Sequence, residues 1–262
     1  MSVSEVFASA RAESRAALIG YLPAGFPTVS GSKDYLHSMV ESGCDLLEVG
    51  LPFSDPVMDG PTIQAAAEQA LSAGFRVRDL FDVVASVADA GGRAVVMTYW
   101  NPVLRYGVDA FARDLAAAGG LGIITPDLVP DEADDWMAAS EAHGLDRIFL
   151  VAPSSTEERI DMTARASSGF LYATAVMGVT GARDVVSSAA PELVARVREH
   201  TSIPVGVGLG VRSGAQAAEI AGFADGVIVG SAFVSAVAEG DGAVRALAAD
   251  LAKGVRSAAA TV

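Results

Sequence analysis

Short apolar runs alternate with longer amphipathic segments along the whole chain. The apolar runs are a few residues long, as in strands that are buried on both faces, and the amphipathic segments repeat apolar positions at the helical period. The sequence therefore predicts strands at Ala17–Leu22, Leu46–Leu51, Ala94–Thr98, Gly122–Ile124, Arg147–Val151, Phe170–Ala173, Pro204–Gly208 and Gly226–Val229.

A helix is predicted after each of these strands, and three further helices interrupt the regular order. The regular helices are predicted at Lys33–Ser42, Val77–Ala90, Asp109–Ala118, Asp131–His143, Glu157–Ala166, Pro191–His200, Ser213–Ala221 and from Gly242 to about Ala259. The further helices are predicted at the N-terminus (Val3–Glu13), after the second strand (Pro61–Ala73) and after the eighth strand (Ser231–Glu239).

The repeated order of strand and helix implies parallel strands. Eight such units in a chain of 262 residues match the count and the size of a (β/α)8 TIM barrel. The alternative, a doubly wound sheet, would need fewer strands or a second domain. Because no linker or change of composition divides the chain, we expect one α/β barrel domain over residues 1–262. Its active site should lie at the carboxyl ends of the strands.

Composition and charge exclude several functions. With 51% hydrophobic and 19% charged residues the chain is too apolar to be disordered. Its net charge of −14 and its lack of any basic run exclude nucleic acid and anionic membranes as partners. The longest uncharged apolar stretch, Gly226 to Ala238, is too short to cross a bilayer. The single cysteine, Cys44, and the lack of a secretory signal predict a cytoplasmic location.

The positions of the lysines and histidines exclude further chemistry. Lys33 and Lys253 are the two lysines, and both fall in predicted helices, so no lysine is placed to form a Schiff base with a substrate or with pyridoxal phosphate. His37, His143 and His200 also fall in helical segments without metal-ligand spacing. The sequence therefore predicts neither a bound metal nor a cofactor in this chain.

Glu48 lies inside the second predicted strand, between Leu47 and Val49. Burial of an unpaired carboxylate is costly and raises its pKa toward the range in which it exchanges protons at neutral pH. Glu48 is therefore the candidate general acid and base. The alternative is a structural glutamate that is hydrogen-bonded to a neighbouring strand.

Two aspartates follow Glu48 in a loop with two prolines. Asp59 precedes Gly60 and Pro61, so it could serve chemistry or cap the next helix. Asp55 lies in a Ser-Asp-Pro turn and has the same ambiguity. The chemistry of the residues leaves both aspartates open as the second catalytic carboxylate.

Glycine-rich segments follow the last two predicted strands, at Gly206–Gly214 and Val229–Ala232. Glycines allow backbone N–H groups to approach an anion, and a helix N-terminus adds a partial positive charge. We therefore expect a phosphate site there, although the glycines could simply form tight turns. A dinucleotide site is disfavoured because the GxGxxG spacing is not met. The segment Gly178–Ala189 is a candidate lid, or merely a mobile loop, in which Thr180 and Gly181 would contact substrate.

Apolar and aromatic residues near the strand ends complete a predicted pocket. Together with the carboxylates and the phosphate loops, they indicate an acid–base enzyme that acts on a phosphate ester with an aromatic group. The predicted lining consists of Tyr21, Phe53, Tyr99, Ile124 and Tyr172.

Motifs spread over almost the whole chain resemble the family of tryptophan synthase α subunits. The longest is LEVGLPFSDPVMDGPTIQ, which contains Glu48 and Asp59. The others are MTYWNP (Met97–Pro102), PDLVPDEA (Pro126–Ala133), FLVAPSST (Phe149–Thr156), MGVTGARD (Met177–Asp184), PVGVGLGVRS (Pro204–Ser213) and ADGVIVGSA (Ala224–Ala232).

The resemblance implies retro-aldol cleavage of indole-3-glycerol phosphate to indole and glyceraldehyde 3-phosphate. It implies that Glu48 is the general acid and base, that Asp59 binds the indole N–H, and that Asp55 belongs to a subunit interface. The phosphate contacts implied by the resemblance are Gly181, Gly208, Gly210, Gly230 and Ser231. Tyr21, Tyr99 and Tyr172 match positions that line the family's pocket.

The resemblance also implies a partner. Members of the family work as a heterotetramer of two α and two β subunits, in which indole passes to pyridoxal phosphate in the β subunit. The expected contact surface lies near Pro52, Asp55 and Asp131. Three alternatives remain: a barrel that mainly activates its β partner, a lyase that works alone, and a sugar-phosphate isomerase.

Overall fold

The computed structural model describes residues 2–174, 189–208 and 210–257. Within these ranges the sheet contains nine strand segments, and every pair of neighbours runs parallel. The segments are β1 (Ala17–Pro23), β2 (Leu46–Gly50), β3 (Ala94–Met97), β4 (Gly122–Ile124), β5 (Asp146–Ile148), β6 (Leu150–Val151), β7 (Leu171–Thr174), β8 (Val205–Gly208) and β9 (Gly226–Val229).

The sheet closes into a barrel through the fifth predicted strand. Its two halves, β5 and β6, are separated by Phe149 alone. β5 pairs with β4 and β6 pairs with β7, while β1 lies between β2 and β9. The nine segments therefore form eight barrel strands, and the predicted α/β barrel is confirmed.

Helices surround the barrel, and the three predicted extra helices are present as α1, α3 and α11. The helices of the described ranges are α1 (Val3–Ala12), α2 (Val29–Glu41), α3 (Pro61–Ser72), α4 (Val77–Asp89), α5 (Trp100–Tyr106), α6 (Val108–Ala117), α7 (Asp134–His143), α8 (Glu157–Ala166), α9 (Ala189–His200), α10 (Gly214–Ala221), α11 (Ser231–Glu239) and α12 (Asp241–Ser257). None of them is long and apolar enough to cross a membrane.

The helices differ from the prediction mainly at α2, which begins at Val29 rather than at the predicted Lys33, at α5 and at α7. α5 has no predicted counterpart, because Asn101-Pro102 is typical of a turn; in the structure Pro102 lies in the first helical turn, where proline is tolerated. α7 begins at Asp134 rather than at the predicted Asp131, after a short 3-10 turn at Pro130–Glu132.

The first helix closes one end of the barrel. Its apolar residues pack into the barrel interior, where the ring of Phe7 lies 5.3 Å from that of Phe170. The N–H of Val3 donates to the Asp146 carboxylate at 3.1 Å, which attaches the helix to the start of β5. Since α1 fills the amino end of the strands, a ligand has access to the interior from the carboxyl end.

Candidate active site

Glu48 is a buried acid in the barrel wall. All five residues of β2 are buried, and the Glu48 side chain is 1% exposed. Its Oε1 has no hydrogen-bond partner in the part of the chain that the structure describes. Burial raises the pKa of Glu48 from 4.5 to about 8. Near neutral pH the side chain can therefore both donate and accept a proton. The alternative of a purely structural glutamate receives no support from Oε1, because this atom makes no hydrogen bond to a described residue.

The loop after β2 brings Asp59 toward the same end of the barrel. Tyr99, which follows β3 and caps α5, accepts a hydrogen bond from the Met58 N–H at 3.0 Å, and its hydroxyl donates to the Asp59 carboxylate. Burial raises the pKa of Asp59, and the Tyr99 hydrogen bond opposes that rise. α3 is capped by Gly60, so Asp59 does not provide the cap that the sequence left open.

Asp55 has a different environment from Asp59. Its side chain is exposed and its carboxylate accepts a hydrogen bond from the adjacent Ser54 hydroxyl. Asp59, by contrast, lies close enough to the pocket tyrosines Tyr21 and Tyr172 to raise the pKa of both. The geometry therefore favours Asp59 as the partner of Glu48.

Tyr21 and Tyr172 lie in the barrel wall near Glu48. Each is buried, and each points its hydroxyl over the last residue of a neighbouring strand. A Cβ at Gly50 would overlap the Tyr21 hydroxyl, and a Cβ at Gly208 would overlap that of Tyr172. Gly50 was not identified from the sequence, although the alternation of inward positions along β2 could have indicated it. Burial has the largest effect on the pKa of both tyrosines and raises it, and the nearby carboxylates raise it further. Both hydroxyl groups are therefore neutral.

Two of the predicted phosphate loops are brought to the carboxyl end of the barrel. Gly208 ends β8, and Gly210 has a φ of 68°, which favours glycine. Gly230 is the N-cap of α11 and provides no side-chain hydrogen bond. The first backbone N–H groups of the helix, from Ser231 onward, are therefore left for a ligand, and the helix dipole gives this end a partial positive charge. Thr180 and Gly181 lie outside the described residues, as does the rest of the candidate lid except its last residue, Ala189, which begins α9.

The remaining pocket residues have separate positions. The ring of Phe53 lies 5.3 Å from that of Tyr99 and is only partly buried, whereas Ile124 is fully buried among the interior residues of the barrel. Phe53 therefore belongs to the rim and Ile124 to the floor. In the described ranges no group of three or more His, Cys, Asp or Glu side chains is placed to hold a metal ion.

Sequence comparison identifies relatives over nearly the full chain. A family model for the tryptophan synthase alpha chain matches residues 7–261. The tryptophan synthase alpha chain of Nocardia farcinica is 71% identical over 256 residues, which are 98% of this chain and 96% of that protein. The alpha chain from Mycobacterium tuberculosis is 68% identical over 251 residues, which are 96% of this chain and 93% of that protein.

Structure comparison gives the same family. A chain of Mycobacterium tuberculosis tryptophan synthase superposes with a TM-score of 0.94 at 66% sequence identity, over 97% of this chain and 98% of that chain. The tryptophan synthase alpha subunit of Legionella pneumophila superposes with a TM-score of 0.86 at 32% identity, over 97% of both chains. The barrel is therefore similar in detail to relatives of both high and moderate sequence identity.

Proposed function

The chain belongs to the tryptophan synthase alpha chain family and is an indole-3-glycerol phosphate lyase, and from this premise we propose how its residues divide the work. Glu48 is the general acid and base, and Asp59 is the second catalytic carboxylate. The observation that carries this assignment is the buried Glu48 side chain, with its unpartnered Oε1 and its pKa of about 8.

The cleavage needs no electron sink from the protein, because the indole ring is itself the sink. Glu48 first gives its proton to the ring carbon that carries the side chain, which leaves an iminium-like ring. Glu48 then accepts the proton of the adjacent side-chain hydroxyl. The O–H electrons form the aldehyde, the carbon–carbon bond breaks, and its electron pair restores the aromatic ring. Glu48 finishes protonated, as it began.

Asp59 accepts a hydrogen bond from the indole N–H and stabilises the positive charge that develops on the ring. An ionised carboxylate does this best, since charge-assisted hydrogen bonds are the stronger ones. The Tyr99 hydrogen bond favours the ionised form of Asp59 and holds the loop through the Met58 N–H. Tyr99 is therefore a positioning residue for Asp59.

Replacing Tyr99 with Phe tests that role. The Tyr99→Phe variant loses the donor to Asp59, so the pKa of Asp59 should rise and the acidic limb of the kcat/KM profile should move to higher pH. We also expect kcat to fall at least about tenfold, as for loss of one hydrogen bond to a charged group. The measurement is indole release as a function of pH. An acidic limb that does not move would contradict the role, even if the rate falls.

Phosphate is held by backbone N–H groups rather than by lysine. The N-terminus of α11 at Gly230 and Ser231, with Gly208 and Gly210 at the end of the neighbouring strand β8, supplies oriented donors and a partial positive charge. By family membership Gly181 adds a further contact. This end of the pocket fixes the substrate so that its indole lies among the tyrosines and the two carboxylates.

We propose the tryptophan synthase β subunit as the partner of this chain, in a heterotetramer of two α and two β subunits. Three large hydrophobic side chains are exposed within the described ranges: Val57 at 70%, Leu104 at 55% and Val129 at 40%. They follow β2, β3 and β4, which are neighbours in the barrel, so they share one sector of its rim. This apolar sector adjoins Asp55 and Asp131 and is suited to burial against a partner.

The cofactor of the assembly, pyridoxal phosphate, is assigned to the β subunit, where it would supply the chemistry that consumes indole. In this chain Lys33 lies on α2 and Lys253 on α12, both on the outside of the barrel, so neither fits a Schiff-base site at the strand ends. We also propose that residues 1–262 act as one domain. A cytoplasmic location is supported by the free, buried thiol of Cys44.

The apolar rim predicts a specific interface defect. Leu104→Glu should weaken association with the β subunit at least tenfold, because a charge would be buried against an apolar surface. Indole release by the isolated chain should stay within twofold of wild type. Titration calorimetry and gel filtration with the β subunit check this, with Ala215→Glu on the outer helix α10 as the matched control. Unchanged affinity of the Leu104 variant would remove this sector from the interface.

The assignment as a whole is tested by assaying indole release from indole-3-glycerol phosphate with and without the β subunit. Release under both conditions, faster with the partner, is expected. A barrel that acts only as an activator would release no indole in either assay, and a lyase that works alone would form no complex. A sugar-phosphate isomerase would turn over a different substrate.

A further inference from the structure

Tyr21 is a buried residue whose hydroxyl takes part in none of the steps above. It lies on β1, is 8% exposed and is paired in register with Glu48 of β2. Its hydroxyl makes no hydrogen bond to any residue within the described ranges. The hydroxyl oxygen is not among the fully enclosed atoms that lack a partner, so it is open to the pocket and available for an acceptor brought by a ligand.

The Tyr21 ring connects the two ends of the proposed site. At one end a Cβ on Gly230 would lie 3.5 Å from Tyr21 Cδ1, which is ordinary contact distance. At the other end a Cβ on Gly50 would lie 2.6 Å from Tyr21 Cε2 and would overlap the hydroxyl. The ring therefore extends from the start of α11, where phosphate is expected to bind, to the end of the strand that carries Glu48.

The electrostatic environment makes this hydroxyl a donor. Burial raises the pKa of Tyr21 well above 10, and the nearby Asp59 and Glu48 carboxylates raise it further. The phenol therefore keeps its proton and cannot act as a base. It can only donate its proton in a hydrogen bond, or accept a hydrogen bond from another donor.

The shape of the substrate determines which atom meets this donor. A three-carbon chain with two hydroxyl groups joins the indole to the phosphate of indole-3-glycerol phosphate. With phosphate at Gly230 and the reacting carbon at Glu48, that chain runs along the Tyr21 ring. The Tyr21 hydroxyl lies at the Gly50 end of the ring, beside the strand that carries Glu48, so this end of the ring would meet the oxygen on the carbon that is bonded to indole.

We infer that the Tyr21 hydroxyl donates a hydrogen bond to the substrate oxygen that becomes the aldehyde. This inference depends on the proposed role of Glu48. As Glu48 takes the proton of that oxygen and the carbon–carbon bond breaks, negative charge passes through the oxygen, and a donor already in place stabilises it. Tyr21 keeps its own proton throughout, so the atoms and electrons of the cleavage are unchanged.

The test compares Tyr21→Phe with wild type on two ligands. For indole-3-glycerol phosphate we expect kcat to fall about tenfold with KM within threefold, since the lost hydrogen bond strengthens in the transition state. The second ligand is indole-3-propyl phosphate, which lacks both side-chain hydroxyls. Its dissociation constant should be unchanged, because the phenylalanine ring of the variant fills the same space. Tyr35→Phe, on the outer helix α2, is the matched control for removal of a tyrosine hydroxyl.

Each result decides the inference. A tenfold loss of kcat with unchanged binding of the analogue supports it. Wild-type kcat in Tyr21→Phe overturns it, and so does equal loss of turnover and of analogue affinity, which would mean that the hydroxyl only supports packing. If Glu48→Gln retains wild-type turnover, the proposed function fails instead, and the two failures are thereby distinguished.

Discussion

Glu48→Gln should reduce kcat for indole release about 1,000-fold while the protein still binds indole-3-glycerol phosphate. The amide keeps the shape of the side chain but cannot exchange a proton, and general acid–base catalysis contributes a factor of this size. Steady-state kinetics gives kcat, and binding of indole-3-propyl phosphate reports the integrity of the pocket. Glu68→Gln, on the exposed face of α3, is the matched control and should behave as wild type.

The folding stability of the same variant provides an independent check. Glu48 keeps its proton in the folded chain up to about pH 8, whereas in the unfolded chain it loses the proton near 4.5. Between these values the folded state binds more protons, so the free energy of unfolding of wild type should fall by about 1.4 kcal/mol per pH unit relative to the variant. Urea unfolding at several pH values measures this. An equal pH dependence in the two proteins would mean that Glu48 is not a neutral buried acid, and wild-type turnover would remove it from the mechanism.

Asp59→Asn should reduce kcat about 100-fold, the cost of removing one preorganised charge-stabilising group. The amide can still accept a hydrogen bond from the indole N–H but cannot balance the positive charge on the ring. The effect should therefore be mainly on kcat, with a smaller change in KM. Indole release measured over a range of pH is the assay, because the variant should also lose the acidic limb that ionisation of Asp59 gives to wild type.

Asp89→Asn is the control for this substitution, since Asp89 is exposed at the end of α4 and far from the carboxyl end of the strands. Circular dichroism should show all of these variants folded. A kcat within threefold of wild type in Asp59→Asn would reassign the second carboxylate, and Asp55→Asn would then be the variant to examine.

Much of the fold could be predicted from local patterns. The alternation of fully buried strands with helices that are apolar on one face predicted the barrel. Each pattern can be seen in the sequence, because strands give short apolar runs and such helices repeat apolar residues every three to four positions. Closure of the barrel could not be obtained in this way. Closure depends on one short strand that is split into β5 and β6, of which β5 pairs with β4 and β6 pairs with β7. α5 was missed for a related reason, since Pro102 is a turn signal in the sequence and a tolerated first-turn residue in the folded helix.

In the site, the sequence by itself determined the chemical inventory. A glutamate inside an apolar strand must be buried, a chain with two lysines on helices has no Schiff-base nucleophile, and glycines before a helix can bind an anion. These conclusions need only the neighbours of each residue along the chain. The family resemblance agreed with the role of Glu48 and added the role of Asp59, and the mutants above test both.

The tertiary structure decided how these groups face one another. Asp55 and Asp59 are equivalent in a loop without periodicity, and Tyr99, which lies between β3 and α5, hydrogen-bonds Asp59 and not Asp55. Likewise only the packing of β1 against β2 and β9 places the Tyr21 ring between Gly230 and Gly50. The direction of a side chain in a loop or across a strand depends on contacts with residues that are distant in the chain. A local sequence pattern carries no information about those contacts.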